Sequence, residues 1–367
     1  MTATHLGLPR LLPPRPVPTG SGASSPVEMP VAGPMVDTFG RTVRDLRVSV
    51  TDRCNLRCTY CMPAEGLDWL DRDEVLTADE LARVISIAVT RLDVESVRFT
   101  GGEPLLRADL ADIIAATAAL EPRPEIAITT NGLALRRRVD ALADAGLDRV
   151  NVSLDTVDRD HFAALTRRDR LDDVLDGLAA ARDAGLAPIK VNAVATAPHG
   201  LDDLPDLAQF CLDEGYQLRV IEQMPLDAQH SWSREQMFTA AEVLARLQES
   251  LALLPDDNER GSAPAQTWIV DGYRDHTGAP ARIGVIGSVS SSFCGACDRT
   301  RLTADGALRN CLFASQETDL RSALRSGADD EDIARLWRVN TWGKLPGHAI
   351  DDPGFLQPSR PMSAIGG

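Results

Sequence analysis

Arg47-Val-Ser-Val-Thr-Asp-Arg-Cys-Asn-Leu-Arg-Cys-Thr-Tyr-Cys-Met-Pro63 sets Cys54, Cys58 and Cys61 in the spacing CxxxCxxC. A β-type run, 46–50, leads straight into it. Three thiolates are one short of a closed tetrahedral zinc site. They suit an iron–sulfur cluster, in which cysteine usually holds every iron. Three cysteines on four irons leave one iron open to a small molecule. The bland reading is a zinc knob or chance clustering, and the matching flanks, Thr51-Asp52-Arg53 and Met62-Pro63, weigh against it.

Seven cysteines are an odd number, and six of them fall into two triplets. That argues for metal, against a disulfide framework, and so for a reducing cytoplasm. A chain of 367 residues with 25% charged and 44% hydrophobic residues has room for a large α/β core plus an appendage. Neither a membrane-length apolar run nor a signal-peptide h-region is present in the sequence. The net charge of −16 argues against a nucleic-acid partner, which calls for broad basic faces. It leaves room for an anionic small molecule, because exposed charges are screened beyond about 8 Å at physiological salt.

Residues 1–36 are rich in Pro, Gly and Ser, and read as a disordered extension. Organised sequence is expected from about Asp37. From there strand-like runs at 46–50, 96–100, 125–130, 149–154, 189–195 and 218–224 alternate with amphipathic segments. Leu171, Val174, Leu175 and Leu178 have helix-face spacing, and Thr77 with Glu80 has capping-box spacing. Strands alternating with helices imply parallel pairing through right-handed crossovers. Six units are too few for an eight-stranded barrel, so the expected fold is α/β, an incomplete six-stranded (β/α)6 barrel resembling part of a TIM barrel over 37–225. Chemistry then belongs at the C-terminal strand ends. There lie Thr100-Gly101-Gly102-Glu103-Pro104, Thr129-Thr130-Asn131-Gly132, Ser153, Asp155 and Met224. The paired glycines are expected to let backbone approach a ligand closely.

Past Pro225 the pattern changes, and 226–367 reads as a second domain. A helical stretch is expected over 240–254, a loop over 256–261, and strands at 266–270 and 282–286. Cys294-Gly295-Ala296-Cys297 follows, then Cys311 with thirteen residues between, again three thiolates with a fourth place open. Arg299-Thr300-Arg301 stands beside this centre, and guanidinium groups match phosphate oxygens bidentately. A lone RxR would be a solvated turn; next to an open metal it points to an anion. Cys211 lies on an apolar helix face and reads as core. None of the six histidines falls in an assignable motif.

SVTDRCNLRCTYCMP (49–63), RFTGGEPLLR (98–107), TTNG (129–132), NVSLD (151–155), KVNAV (190–194), FCGACDRTRL (293–302) with Cys311, and the GlyGly end occur in one order. Together they resemble the GTP 3′,8-cyclase family, radical S-adenosylmethionine (SAM) enzymes of molybdenum cofactor biosynthesis, over 37–367. The resemblance implies two [4Fe-4S] clusters facing each other across the barrel. Cys54, Cys58 and Cys61 would hold the one that cleaves SAM; Cys294, Cys297 and Cys311 would hold the second, in the C-terminal domain, whose open iron meets guanine. Tyr60, Gly102, Ser153 and Met224 resemble the SAM contacts. Arg47, Arg98, Thr129, Lys190, Arg299, Thr300 and Arg301 resemble the GTP contacts, with Arg219 a further candidate. The tail, Gly366 and Gly367, would enter the pocket.

The implied reaction is radical removal of the ribose H3′ of GTP, attack of C3′ on C8 of the same guanine, and reduction to (8S)-3′,8-cyclo-7,8-dihydroguanosine 5′-triphosphate. The resemblance also implies an electron donor such as a flavodoxin or ferredoxin, and a homodimer. One departure stands out: family members often carry a lysine where this chain has Ser96. The rival readings are a radical SAM peptide-modifying enzyme with an auxiliary cluster, and a zinc-binding scaffold.

Overall fold

In the computed structural model, residues 28–366 are described. The strands are β1 (Met35–Val36), β2 (Thr42–Val43), β3 (Asp45–Ser49), β4 (Ser96–Thr100), β5 (Glu125–Thr130), β6 (Arg149–Ser153), β7 (Ile189–Ala195), β8 (Gln217–Glu222), β9 (Leu253–Pro255), β10 (Gln266–Arg274), β11 (Pro280–Ile286), β12 (Arg299–Leu302), β13 (Ala307–Arg309) and β14 (Thr318–Asp319). The six expected β/α units form β3 to β8, which pair in sequence order and all in parallel. The capping box is present: Thr77 Oγ1 accepts from Glu80 N (3.2 Å), and Glu80 Oε2 accepts from Thr77 N (2.8 Å). It starts the helix Ala78–Leu92, whose buried face includes Leu81, Val84, Ile85, Ala88 and Leu92.

The sheet does not stop at six strands. β12 adds in parallel to β3, and β11 adds in parallel to β8. The result is a twelve-stranded open mixed sheet in the order β14-β13-β12-β3-β4-β5-β6-β7-β8-β11-β10-β9. The expectation of a six-stranded sheet is therefore too small. The added strands come from beyond residue 226, so the C-terminal segment extends the parallel sheet at both ends rather than standing apart. The strands at 266–270 and 282–286 were legible, but their attachment and β12 were not, because these strands do not follow the β/α rhythm.

Period-two alternation aims side chains to two sides. On β7 the buried Ile189, Val191, Ala193 and Ala195 alternate with the half-buried Lys190, Asn192 and Val194. The first set belongs to one continuous apolar core shared with the helices. Cys211 lies in that core with no exposed surface, as expected.

Three local expectations are corrected. The helix over 240–254 ends at Gln248, and Leu253–Pro255 turns into β9, which pairs with β10. The hairpin strands are longer than expected, Gln266–Arg274 and Pro280–Ile286. Order begins before Asp37: Met35 is fully buried in β1, and Thr341 Oγ1 of the helix Asp330–Trp342 donates to its sulfur (3.5 Å). The rest of the expected disordered stretch, over 1–27, lies outside the described residues.

Candidate active site

A cavity of about 330 Å³ is lined by side chains from all eight parallel strands. Both cysteine triplets open onto it: Cys54, Cys58 and Cys61 from the loop after β3, and Cys294, Cys297 and Cys311 from the C-terminal segment. All six are free thiols. Among the described residues, no group of three or more His, Cys, Asp or Glu side chains converges on a point suited to a single metal ion. A four-iron cluster asks for a wider spread, because each thiolate binds its own iron. The donor set, six thiols in two triplets facing one cavity, fits such clusters. Burial raises the Cys58 thiol well above its ordinary range, aided by Cys61, Asp155 and Cys54. Burial likewise pushes Cys61 up to about 12. Cys297 is the exception: burial alone would raise it, but Lys344 and Arg299 outweigh that and hold it low.

The glycine pair after β4 lines the cavity and also packs against backbone. Gly101 has φ +140, and a Cβ there would stand 2.2 Å from the Thr51 carbonyl; one at Gly102 would stand 2.3 Å from that of Asp52. The close approach these glycines permit is to the cysteine loop itself. Gly102 N donates to Thr51 O (2.9 Å) and Glu103 N to Arg53 O (2.8 Å). Glu103 is buried and accepts from Leu105 N, Thr130 Oγ1 and Asn131 N at 2.7–2.9 Å. It thus ties the ends of β4 and β5 together, although burial lifts its carboxyl to about 7. Asn131 Nδ2 then reaches Asn55 Oδ1 (2.7 Å) in the cysteine loop.

The residues matched to SAM contacts, Tyr60, Gly102, Ser153 and Met224, all line the cavity. Tyr60 donates to Asp155 Oδ2 (2.8 Å), and Asp155 Oδ1 accepts from Val194 N (2.7 Å). Burial pushes the Asp155 carboxyl up to about 6.

Of the residues matched to GTP contacts, Arg47, Arg98, Thr129, Arg299 and Arg301 line the cavity, as does Arg219. Lys190 and Thr300 do not line it. Lys190 sits on the same face of β7 as Asn192, one pleat further from the mouth. Thr300 is fully buried and its hydroxyl accepts from Trp337 Nε1 (3.0 Å), a packing role that sequence alone did not suggest. The guanidiniums crowd each other. Burial and Arg47 bring Arg301 down to about 9, and burial with Arg149 and Arg47 brings Arg219 to about 10. Burial, with Arg219 and Arg149, brings Lys190 to about 6. Asp45 faces this group: burial favours its neutral form, yet Arg47, Arg98, Arg299 and Arg301 hold it below the usual carboxylate range. Arg47 Nε and Arg98 Nε are buried without a hydrogen-bond partner among the described residues. Buried donors left unmade cost about 1–3 kcal/mol each, so the cavity is prepared for an anion.

The tail reaches the same place. Met362 and Ser363 line the cavity, and Arg301 donates to the carbonyl of Gly366. Gly367 lies outside the described residues.

Sequence reasoning missed His348, Asn192 and Phe293, which also line the cavity. Asn192 was legible, since alternation from Lys190 puts it on the same face. His348 follows the turn signal Pro346-Gly347, but nothing in sequence ties that turn to Cys294. Phe293 lies beneath the Arg299 guanidinium, 5.3 Å from ring centre to Cζ.

Residues 48–211 match the Radical SAM superfamily, and residues 216–350 match the Molybdenum Cofactor Synthesis C family. Proteins described as GTP 3′,8-cyclase from Mycobacterium sp. (strain KMS) and Mycolicibacterium smegmatis are 61% and 60% identical, over the full length of both chains. A Mycobacterium tuberculosis protein described as GTP 3′,8-cyclase 2 is 60% identical, again over the whole of both. Among solved structures, Streptococcus suis SuiB bound to S-adenosylmethionine shares the fold, with TM-score 0.56 at 16% identity over 84% of this chain and 68% of that one. This chain belongs to the GTP 3′,8-cyclase family of radical SAM enzymes.

Proposed function

We infer that the chain converts GTP to (8S)-3′,8-cyclo-7,8-dihydroguanosine 5′-triphosphate, the radical SAM step of molybdenum cofactor biosynthesis. The observation that carries this reading is one cavity bounded by two cysteine triplets and five arginines, Arg47, Arg98, Arg219, Arg299 and Arg301. Its carboxylates are already engaged. Asp155 holds Tyr60, and Glu222 accepts from Ala240 N, Val289 N and Ser290 N at 2.6–2.8 Å. Net positive charge is left to face a triphosphate, with planar groups suited to its oxygens.

Cys54, Cys58 and Cys61 would hold a [4Fe-4S] cluster at which SAM binds, and Cys294, Cys297 and Cys311 a second one against the base. When bound, the first cluster and SAM supply the deoxyadenosyl radical that removes H3′ of GTP. The chain's residues do the rest of the work by orientation and shelter. Tyr60, Gly102, Ser153 and Met224 border the SAM end. Thr129 and the arginines fix the phosphates and ribose, with Lys190 behind them. Gly366 closes the space beside Arg301. Burial keeps water and other hydrogen donors from the radical. Lining by eight strands supports a sheet curled into a partial barrel, in which 37–225 carries the SAM centre and 226–367 the auxiliary centre. The chemistry calls for a one-electron donor of flavodoxin or ferredoxin type. We also propose the homodimer and cytoplasmic setting that the family resemblance implies. Among the described residues no helix is long and apolar enough to cross a membrane.

A peptide-modifying reading finds less support, because the likeness to SuiB at 16% identity speaks to fold alone. Anaerobically reconstituted protein, given SAM and reductant, should consume GTP and form an isomer of it that separates on chromatography. Turnover of SAM with unchanged GTP would refute the assignment.

A further inference from the structure

Lys344 is 3% exposed, yet among the described residues no carboxylate lies within ion-pair reach of it. Its ammonium makes three contacts: Arg299 O at 2.8 Å, Cys297 O at 3.1 Å and Cys297 Sγ at 3.4 Å. A buried ammonium without a counter-charge costs several kcal/mol, so it needs an anion nearby. Among the described residues, the group it touches that can carry negative charge is the Cys297 sulfur, as thiolate.

The lysine is held firmly. It follows the helix Asp330–Trp342, and its N–H donates to Thr341 O (3.0 Å). Arg41 then pins the following residues, donating to Leu345 O (2.6 Å) and Pro346 O (3.2 Å), and also to Cys294 O (2.7 Å). Asp37 fixes Arg41 in turn through its Nε (2.5 Å). The segment 344–348 therefore lies along the CxxC turn, and the His348 backbone adds a hydrogen bond to the Cys294 sulfur.

We propose that Lys344 is a positioning residue for the auxiliary centre, setting the reduction potential of its cluster through the Cys297 sulfur while aligning Arg299 with the cavity. This rests on the reading that Cys294, Cys297 and Cys311 hold a cluster. Hydrogen bonds and positive charge at a cluster sulfur favour the reduced, more negative state and so raise the potential. Lys344 also binds the carbonyls of Cys297 and Arg299, which joins the ligand turn to the start of β12.

The test is a redox titration followed by electron paramagnetic resonance on the full chain carrying both clusters, with SAM added to set the first cluster's signal apart. Lys344→Met should shift the second cluster to a more negative potential, by about tenfold in its reduction equilibrium, or about 59 mV for one electron. Lys344→Arg should stay near the wild type, and Lys344→Gln should fall between. The first cluster's signal and SAM cleavage should not change. If Lys344→Met fails to fold, the Gln and Arg variants carry the same comparison. Equal second-cluster potentials in wild type and neutral variants, with melting alone affected, would overturn the proposal and leave Lys344 a structural tie. About four irons per wild-type chain instead of about eight would instead overturn the two-cluster reading beneath it.

Discussion

Ser49 Oγ donates a hydrogen bond of 2.9 Å to the carbonyl of Ile365. The side chain that ends β3, just before the cysteine loop, thus holds the C-terminal tail over the cavity. One residue on, Gly366 has φ +81, and a Cβ there would lie 2.5 Å from both Ser49 Oγ and Thr100 Cγ2. Backbone conformation and space both demand glycine at this position.

Gly366→Ala should therefore displace the tail without unfolding the protein. Strain of about 1–3 kcal/mol at such a position corresponds to about tenfold or more in the occupancy of the docked tail. Loss of both terminal glycines should go further, with SAM cleavage continuing while cyclised nucleotide falls. Quantifying 5′-deoxyadenosine and cyclised product in the same reaction checks this. Wild-type yields of both would show the tail to be dispensable.

Arg301 is buried, faces the cavity and donates to Gly366 O, so it joins the tail to the arginine-lined cavity. Arg301→Ala should weaken GTP binding by about tenfold or more, since a hydrogen bond to a charged group contributes roughly 1.5–3 kcal/mol. Folding should suffer less, because the change also removes one of several crowded like charges. Calorimetric titration with GTP measures the first and thermal unfolding the second. Unchanged affinity in both Arg299→Ala and Arg301→Ala would remove these residues from the site.

Lys190 should take up a proton when GTP binds. Its amine is brought to about 6 in the folded protein against 10.5 ordinarily. Between those values the unfolded chain binds the extra proton, so this group makes stability rise with pH across that window. A bound triphosphate adds negative charge to that of Glu125 and raises the amine again. At about pH 8 the uptake should approach about one proton per GTP, and Lys190→Met should abolish that share. Titration calorimetry in buffers of different ionisation enthalpy reads it directly. Identical proton uptake in wild type and Lys190→Met would exclude the lysine.

Cys58→Ala should leave about four of about eight irons and abolish SAM cleavage, while the second centre keeps its spectrum. Iron analysis after anaerobic reconstitution decides this. Stoichiometric zinc without iron-dependent visible absorption would end the enzyme reading.

Much of this was legible because local pattern and chemistry coincide. Cys54, Cys58 and Cys61 follow a strand, and the polar strand ends at Ser153 and Thr129 fall where a parallel sheet presents its chemistry. What stayed hidden depends on contacts distant in sequence. β11 and β12 carry no helical rhythm to announce that they flank β8 and β3. The Gly101-Gly102 pair was legible as a place of close approach, but not that the Thr51–Asp52 backbone also needs its space. Thr300 differs from its neighbours Arg299 and Arg301 because alternation turns it to Trp337, away from the cavity. Lys344 lies 47 residues from the cysteine it touches, in a segment with no motif of its own.

If the chain is a GTP 3′,8-cyclase, the hydrogen at C3′ of GTP must pass to 5′-deoxyadenosine. GTP carrying deuterium at C3′ would be incubated anaerobically with reconstituted protein, SAM and reductant, and the 5′-deoxyadenosine examined by mass spectrometry. The 5′-deoxyadenosine should be one mass unit heavier, in step with appearance of the cyclised isomer of GTP. Unlabelled 5′-deoxyadenosine, with GTP recovered unchanged, would contradict it.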